Sequence, residues 1–404
     1  MIVIKKPKIE KHGDKVRLVA EVSVCNNQTG GGLWIEVDSC YGEYLCSERS
    51  DAFVAGLMFF AIKNREDIYF EAPITDELKD GIEHQFIDVL CQHQSELHKV
   101  RLIGPVAPAI KKDETVIGAG ASCGVDCLYT IKRRIDGNDA KKFLLIANMH
   151  GEVADDDTTK KEFRFEYLKN IAHELADDLK IDLIVCDTNF NSGEIPGLTF
   201  EGCTTYGNLF TVLSLQKLFS RYFIASGGPV VDFGKYLRFG IYGTDCSNYD
   251  LLTCQAFSTS SLQFIVDGLE DRNVKVEVLC DYPIAWKHLD VCHVHPLGAT
   301  KNCTNGCPKC MYTILEIMAT KKSALDKFDR VFNVAYVKSH MYEYAAELLR
   351  KRLIGAETAM ETWPRRKNIG FTASDYAKAS LVVTKKIFRK ILRLGRTNHT
   401  FRAD

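Results

Sequence analysis

The chain lacks the features that most directly announce a function class. It has almost no net charge: 52 Lys and Arg stand against 53 Asp and Glu, a formal charge of −1. No global field therefore steers it toward nucleic acid or a membrane, and any such role needs a local patch. No apolar run approaches the ~20 residues of a membrane span. The opening residues Met1-Ile2-Val3-Ile4-Lys5-Lys6 hold no stretch long enough for a secretory signal. These absences set the expectation of a cytoplasmic protein outside the membrane, with no indication of oligomeric state. Disorder is excluded too, because 46% of the 404 residues are hydrophobic, which suits two or three domains that each bury a core.

Cysteine, by contrast, is plentiful. There are fifteen, an odd count, and singles such as Cys91, Cys186 and Cys254 sit inside apolar segments. In a reducing compartment these read as small buried hydrophobes.

The pattern of apolar residues divides the chain into four regions. Residues 1–112 alternate strands (16–24, 33–37, 67–74, 99–103) with helices (51–63 and a second running toward Gln94), which predicts an N-terminal α+β domain. Gly30-Gly31-Gly32 reads as a turn, and Gly104–Pro108 as a linker. Residues 113–290 read strand, helix, strand, helix: strands at 115–118, 143–148, 181–186 and 222–225, helices at 124–134, 160–179 and 208–219. That alternation predicts an α/β domain on a parallel sheet with helices on both faces, with ligands at the carboxyl ends of the strands where their order reverses. Residues 291–318 hold a cysteine cluster. Residues 319–404 read as helical, and their last helix carries Lys385, Lys386, Arg389, Lys390 and Arg393 against almost no acid. That is either a solvated helix end or a patch for an anionic partner such as RNA or a phosphorylated substrate.

The first strand of the α/β region runs into its helix through Gly118-Ala119-Gly120-Ala121-Ser122-Cys123-Gly124-Val125-Asp126-Cys127. A small-residue loop between strand and helix offers backbone N–H groups and the positive end of the helix dipole to a phosphate. Ser122 adds a hydroxyl, Gly124 a close approach, and Asp126 a carboxylate that could hold magnesium. The Gly118-x-Gly120-x-x-x-Gly124 spacing also loosely fits a dinucleotide site, and a plain structural turn is the third reading.

Ser122-Cys123-Gly124-Val125-Asp126-Cys127 resembles the PP-loop signature S-G-G-x-D-S of the ATP pyrophosphatases, the family of GMP synthetase, asparagine synthetase, the tRNA thiolases and 7-cyano-7-deazaguanine synthase. Ser122, Gly124 and Asp126 match; Cys123 stands for a glycine and Cys127 for the last serine. The resemblance implies a HUP-type core that binds ATP and Mg2+ and cleaves the nucleotide between the α- and β-phosphates. A substrate of unknown identity, small or macromolecular and possibly deazaguanine-like, would be adenylated. The loop residues Ser122 through Val125, with Cys127 and Asn148, would contact the nucleotide.

Further along, Arg272 and Lys275 precede an apolar run, and Lys275, Glu277 and Val278 resemble the K-x-E motif of 7-cyano-7-deazaguanine synthase. Asp126, Lys275 and Arg272 are then the candidate catalytic residues, both cations being suited to phosphate oxygens. Asn148 and Asp187 at strand ends are candidate adenosine or substrate contacts, and Asp245 and Asp250, in the loop before the basic element, could add a metal or substrate contact. Last come Cys292, Cys303, Cys307 and Cys310, whose closest spacings sit in a turn with Gly306 and Pro308. Such thiolates can converge on one tetrahedral Zn2+. His293 or His295 could replace Cys292 as the first ligand. The same cluster follows the K-x-E loop in 7-cyano-7-deazaguanine synthase, where the first spacing is shorter. Two other readings remain: a nucleotide sensor without turnover, and a sulfur-transfer enzyme using the loop cysteines.

Overall fold

The computed structural model describes residues 1–24, 27–28, 32–93, 95–148, 158–190, 200–228, 246–295, 297–353 and 364–397. They fall into two units, Met1–Lys275 and Val276–Asp404.

The first unit is built on an eight-stranded sheet. In chain order its strands are β1 (Lys8–His12), β2 (Lys15–Ala20), β3 (Leu33–Asp38), β4 (Val116–Gly120), β5 (Lys141–Asn148), β6 (Asp182–Thr188), β7 (Arg221–Ala225) and β8 (Gln263–Asp267). They lie side by side in the order β8-β7-β4-β5-β6-β3-β2-β1. β4 to β8 pair in parallel; β3, β2 and β1 continue the sheet antiparallel, with Glu36 of β3 opposite Asp187 of β6. β4 has β5 on one side and β7 on the other, so the strand order reverses at β4 and opens a crevice beyond its carboxyl end.

The helices used below are α1 (Asp51–Asn64), α2 (Val125–Thr130, continued by a wider turn to Ile135), α3 (Thr158–Leu179), α4 (Phe200–Ser214), α5 (Arg272–Leu279), α6 (Pro308–Lys321), α7 (Met341–Leu353) and α8 (Ala373–Thr397).

Composition explains the placement of the strands. The first four residues of β4 are buried, as are four consecutive apolar residues of β5, Phe143 to Ile146. Strands apolar on both faces belong in the interior of a parallel sheet. All five residues of β1 are exposed and three are charged, Lys8, Glu10 and Lys11, which suits an edge that must not recruit another chain. α1 is buried along almost its whole circumference and packs on α4. Gly56 permits the contact, since a Cβ there would meet Phe190 at 3.1 Å and Phe210 at 3.2 Å.

Several expectations differ from this arrangement. Residues 1–112, expected as a domain apart, place three strands in the same sheet as the α/β region. The strand expected over 16–24 is divided: β2 ends at Ala20, and Val22–Val24 joins a second, five-stranded sheet with Asn27–Gln28, Ile2–Ile4, Ile68–Phe70 and Leu102–Ile103. Gly104–Pro108 is packed structure: Val106–Ala107 pairs with Ile74–Thr75, and a Cβ on Gly104 would run into the Phe70 ring. α4 starts at Phe200 and stops at Ser214, where Cys46 N donates to the Ser214 carbonyl at 2.9 Å. Of the glycine run 30–32, only Gly32 lies within the described residues; its φ is +77°.

The second unit is helical apart from the cysteine-bearing loops. α7 and α8 meet through Ala345, Ala346, Ala379 and Val383. Among the described residues no helix is long and apolar enough to cross a membrane.

Gly118 lies in mid-strand against aromatic rings: a Cβ there would clash with Phe219 and meet Tyr222 at 2.9 Å. At Gly120 the nearest atom would be the Tyr222 hydroxyl at 3.8 Å. Gly118→Ala should therefore destabilise the first unit by about 1–3 kcal/mol and Gly120→Ala much less, read as the shift in urea-denaturation midpoint.

Candidate functional site

The loop between β4 and α2 sits at the point of strand-order reversal. Ala121 N donates to the Leu145 carbonyl at 2.8 Å, which keeps the loop in register with β5. Cys123 then adopts φ +59°, a left-handed backbone conformation that costs a non-glycine residue about 1–2 kcal/mol. Its side chain is fully buried, with the sulfur donating to the Ala121 carbonyl at 3.4 Å. Gly124 follows in extended geometry (φ −71°, ψ 170°) as the N-cap of α2, and the Leu128 amide closes the first turn on the Gly124 carbonyl at 2.9 Å. The earlier amides of that turn have no intrahelical acceptor by construction.

Beside the loop lies a cluster of charge. Lys275, on α5, is completely buried, and its ammonium donates to Asp126 Oδ1 at 2.6 Å and to the Ser226 carbonyl at 2.6 Å. Arg272, one turn earlier, places a guanidinium nitrogen 3.7 Å from Asp126 Oδ2. Ser226 is the first residue after β7; its own amide donates to the Asp267 carbonyl at 2.8 Å, and its hydroxyl accepts from the Gly228 amide at 3.3 Å. The buried Asp267 carboxylate, at the end of β8, accepts from Arg134 Nε at 2.6 Å and so holds the far end of α2. Gly268 next to it has φ +78°, and a Cβ there would stand 3.2 Å from Tyr129 and 3.6 Å from the Lys275 side chain. The three residues that the sequence offers as catalytic candidates, Asp126, Lys275 and Arg272, thus form one ion-pair cluster.

On the other side of the loop is a cleft of about 250 Å³ at the carboxyl ends of β4, β5 and β7. Ser122, Cys127 and Asn148 line it, together with Thr130, Arg164 and Asn208. The rest of its wall is mostly apolar, including Phe165, Leu168 and Tyr222. An apolar wall with a few placed polar groups is the usual character of a small-molecule site. Arg164, Thr204 and Asn208 carry no motif that would mark them in the sequence. Arg164 is one charge among many on α3, and only the packing of that helix brings it to the strand ends.

Cys123, Gly124 and Val125 do not line the cleft, and Val125 is core. Asp187 stays at the end of β6 outside the cleft and accepts from the Thr188 amide at 3.0 Å. Asp250 is buried and accepts from Thr205 Oγ1 at 2.6 Å, a structural bond within the first unit. Asp245 lies outside the described residues. Gly118, the first glycine of the loose dinucleotide pattern, is required by Phe219 and Tyr222, which gives that pattern a packing explanation.

The Cys127 thiol is a poor nucleophile. Burial pushes Cys127 up to about 11, and its sulfur donates to the Gly120 carbonyl at 3.0 Å. A thiol so placed is protonated at neutral pH.

In the second unit, Cys292, Cys303, Cys307 and Cys310 bring their sulfurs within 4.8 Å of one another. Cys292 and Cys303 are 3.3 Å apart, and Cys303 and Cys310 are 3.7 Å apart. Four sulfurs bound at ~2.3 Å around a tetrahedral ion would be spaced by about 3.8 Å, so the set could hold a metal of the zinc type. Hydrogen bonding with Cys303 lowers Cys292 from the usual thiol range, and hydrogen bonding with Cys292, Cys303 and Cys310 lowers Cys307. The local sequence explains the convergence: Gly306 turns the chain at φ +83°, Cys307 is the N-cap of α6, and Pro308 occupies the first turn, where its missing N–H costs nothing.

Asn302 fixes the two ligand-bearing segments together. Its Nδ2 donates to the carbonyls of Leu289 at 2.8 Å and Val331 at 3.1 Å, and its Oδ1 accepts from the Val291 amide at 2.7 Å. His295, an alternative first ligand by sequence, pairs instead with Asp290 at 2.8 Å, both being buried. His293 is exposed and outside the sulfur cluster, so Cys292 is the residue that completes the four.

Compared with protein-family models, curated proteins and solved structures, the chain matches none.

Three outcomes follow from this geometry. Purified protein should carry about one zinc per chain by metal analysis, lost in Cys307→Ser/Cys310→Ser. Asn302→Ala should keep the four ligands yet weaken metal binding by about 10- to 100-fold in a chelator competition. Cys127 should resist iodoacetamide at pH 7.5 in the folded protein and become alkylated only as the pH approaches 11; rapid labelling at pH 7.5, located by peptide mapping, would contradict the buried thiol.

Proposed function

We propose that the first unit binds ATP with magnesium on a PP-loop, in a HUP-type nucleotide core, and that the chain is an AMP- and pyrophosphate-forming adenylating enzyme. The observation that carries this reading is the buried Lys275, which reaches across from α5 to Asp126 in the loop between β4 and α2, with Arg272 on the other carboxylate oxygen. The parallel strands in the order β6-β5-β4-β7-β8 put that loop at the reversal point, where open α/β sheets bind their ligands.

In this reading Lys275 and Arg272 donate to phosphate oxygens and offset the charge that grows on departing pyrophosphate. Asp126 holds magnesium, a hard cation that takes carboxylate and phosphate oxygens together. The adenosine part lies in the cleft, with Asn148 and Asn208 as polar contacts and Phe165 and Tyr222 among the apolar ones. Magnesium held at Asp126 would supply positive charge to offset that of the phosphates. The two cysteines at motif positions fit this assignment. Cys123 keeps the left-handed backbone that a glycine would adopt, and its sulfur is buried beneath the loop, out of the cleft. Cys127 hydrogen-bonds a carbonyl and stays protonated, which supports phosphate chemistry over sulfur transfer.

A second reading, a nucleotide sensor without turnover, is favoured by one observation: Lys275 already commits two of its three N–H groups to Asp126 and Ser226, and an ion pair that persists after binding would keep most of its charge from the leaving group.

The decisive measurement is ATP-dependent release of pyrophosphate and AMP by the full chain supplied with metabolite extract. We expect turnover that Asp126→Ala and Lys275→Met each lower by about 10²–10³-fold. Nucleotide binding by equilibrium dialysis with no product in any extract would establish the sensor instead. Absence of binding would overturn both readings.

A further inference from the structure

The near-zero charge of the whole chain hides a segregation. Residues 276–404 contain 22 Lys and Arg against 12 Asp and Glu, a net charge of +10, and residues 1–275 contain 30 against 41, a net of −11. A charge of that size on a small unit creates a field that attracts polyanions. Three features of the second unit give the attraction a shape.

First, aromatic rings and cations interleave on one face. Tyr336 and His340 stack with centroids 3.9 Å apart and planes 5° from parallel. Tyr342 continues from His340 at 5.9 Å, and Lys378 of α8 stands 5.9 Å from the Tyr342 ring centre. Second, a groove of about 550 Å³ opens beside Tyr342, walled by Pro308 and Met311 of α6, Arg350 of α7, and Val382 and Lys386 of α8. Third, the acids in that groove are engaged. Glu347 is held by Arg350 at 2.9 and 2.6 Å, and Glu343 accepts from the hydroxyls of Tyr336 at 2.8 Å and Tyr342 at 3.3 Å. Lys385 and Lys386 are exposed and have no ion-pair partner among the described residues.

We propose that this face of the second unit, formed by α7, α8 and the turn at Gly306–Pro308, binds single-stranded nucleic acid. Phosphates run along Lys378, Lys385 and Lys386, and unstacked bases lie on the Tyr342 ring and the exposed Tyr376. Charge complementarity selects a polyanion. The aromatic faces select one with open π-surfaces, because a base in a duplex has none to offer. An anionic lipid surface fits less well. α8 spends its small apolar residues Ala379 and Val383 on α7, and among its described side chains the exposed aliphatic and phenyl ones, Leu381, Ile387 and Phe388, do not all share one face for insertion. This inference stands apart from the nucleotide site and does not depend on turnover.

The test is fluorescence anisotropy of the 404-residue chain as purified with labelled single-stranded RNA and DNA of about 20 nucleotides across a salt series, alongside a duplex of the same sequence, heparin, and phosphatidylserine vesicles. Either single strand should bind more tightly than the duplex; which of the two is preferred identifies the natural source. Lys385→Gln/Lys386→Gln should flatten the slope of log K against log salt by about 1.4, at about 0.7 for each phosphate that is no longer neutralised. Tyr342→Leu should weaken binding roughly 5- to 150-fold without changing the slope, and Tyr342→Phe should restore it. Zinc content and circular dichroism equal to wild type show that each variant is folded. Duplex or heparin binding as tight as the single strand, no effect of Tyr342→Leu, or vesicle binding without oligonucleotide binding would each overturn the proposal.

Discussion

A fully buried lysine is the constraint around which the first unit is arranged. Removing an ammonium from water costs several kcal/mol even after relaxation, and Lys275 recovers that cost through two short bonds, to Asp126 and to the Ser226 carbonyl. Those partners come from the first turn of α2 and from the end of β7, and the lysine itself from α5. Satisfying one charge therefore fixes the loop at the strand reversal, the loop after β7 and the start of α5 against each other. Asp267 repeats the device at the other end of α2, where a buried carboxylate takes Arg134. Between them the helix is held at both ends by charge, and the cleft at its side keeps its shape.

The second unit differs in its electrostatics, with a net charge of +10. Four cysteine sulfurs collected within 4.8 Å could hold a metal that crosslinks their segments, and Asn302 ties the chain segments that deliver them. The lysines are then free to stay at the surface, where α7 and α8 meet through alanines and a valine and leave their outer faces to solvent.

How far these features could be read from the sequence depends on how local their causes are. The loop from Gly118 to Cys127 was legible because a strand of small apolar residues runs directly into a helix. The cysteine cluster was legible because three of its members share eight positions with Gly306 and Pro308. The identity of the first sulfur was not: Cys292, His293 and His295 are equivalent by spacing, and only the Asp290–His295 pair removes a histidine from contention. Asp250 read as a candidate because it precedes the basic element, whereas its partner Thr205 is forty-five positions away. The second-unit charge was visible in part, at residues 385–393. Its full extent emerged only with the boundary after Lys275.

Periodicity and small-residue spacing alone determined that the chain alternates strands with helices, where the small-residue loop between β4 and α2 lies, and which cysteines near the end of that region cluster, because each is a property of a few neighbouring residues. Strand order was decided by tertiary structure. That β3, from the first forty residues, lies beside β6 and joins both regions in one sheet follows from hydrogen bonds between chain segments about 150 positions apart. The burial of Lys275 and its reach to Asp126 were settled in the same way. A sequence records which side chains can pair; which of them do is set by packing, because an ion pair gains its strength only after other residues have excluded the water around it.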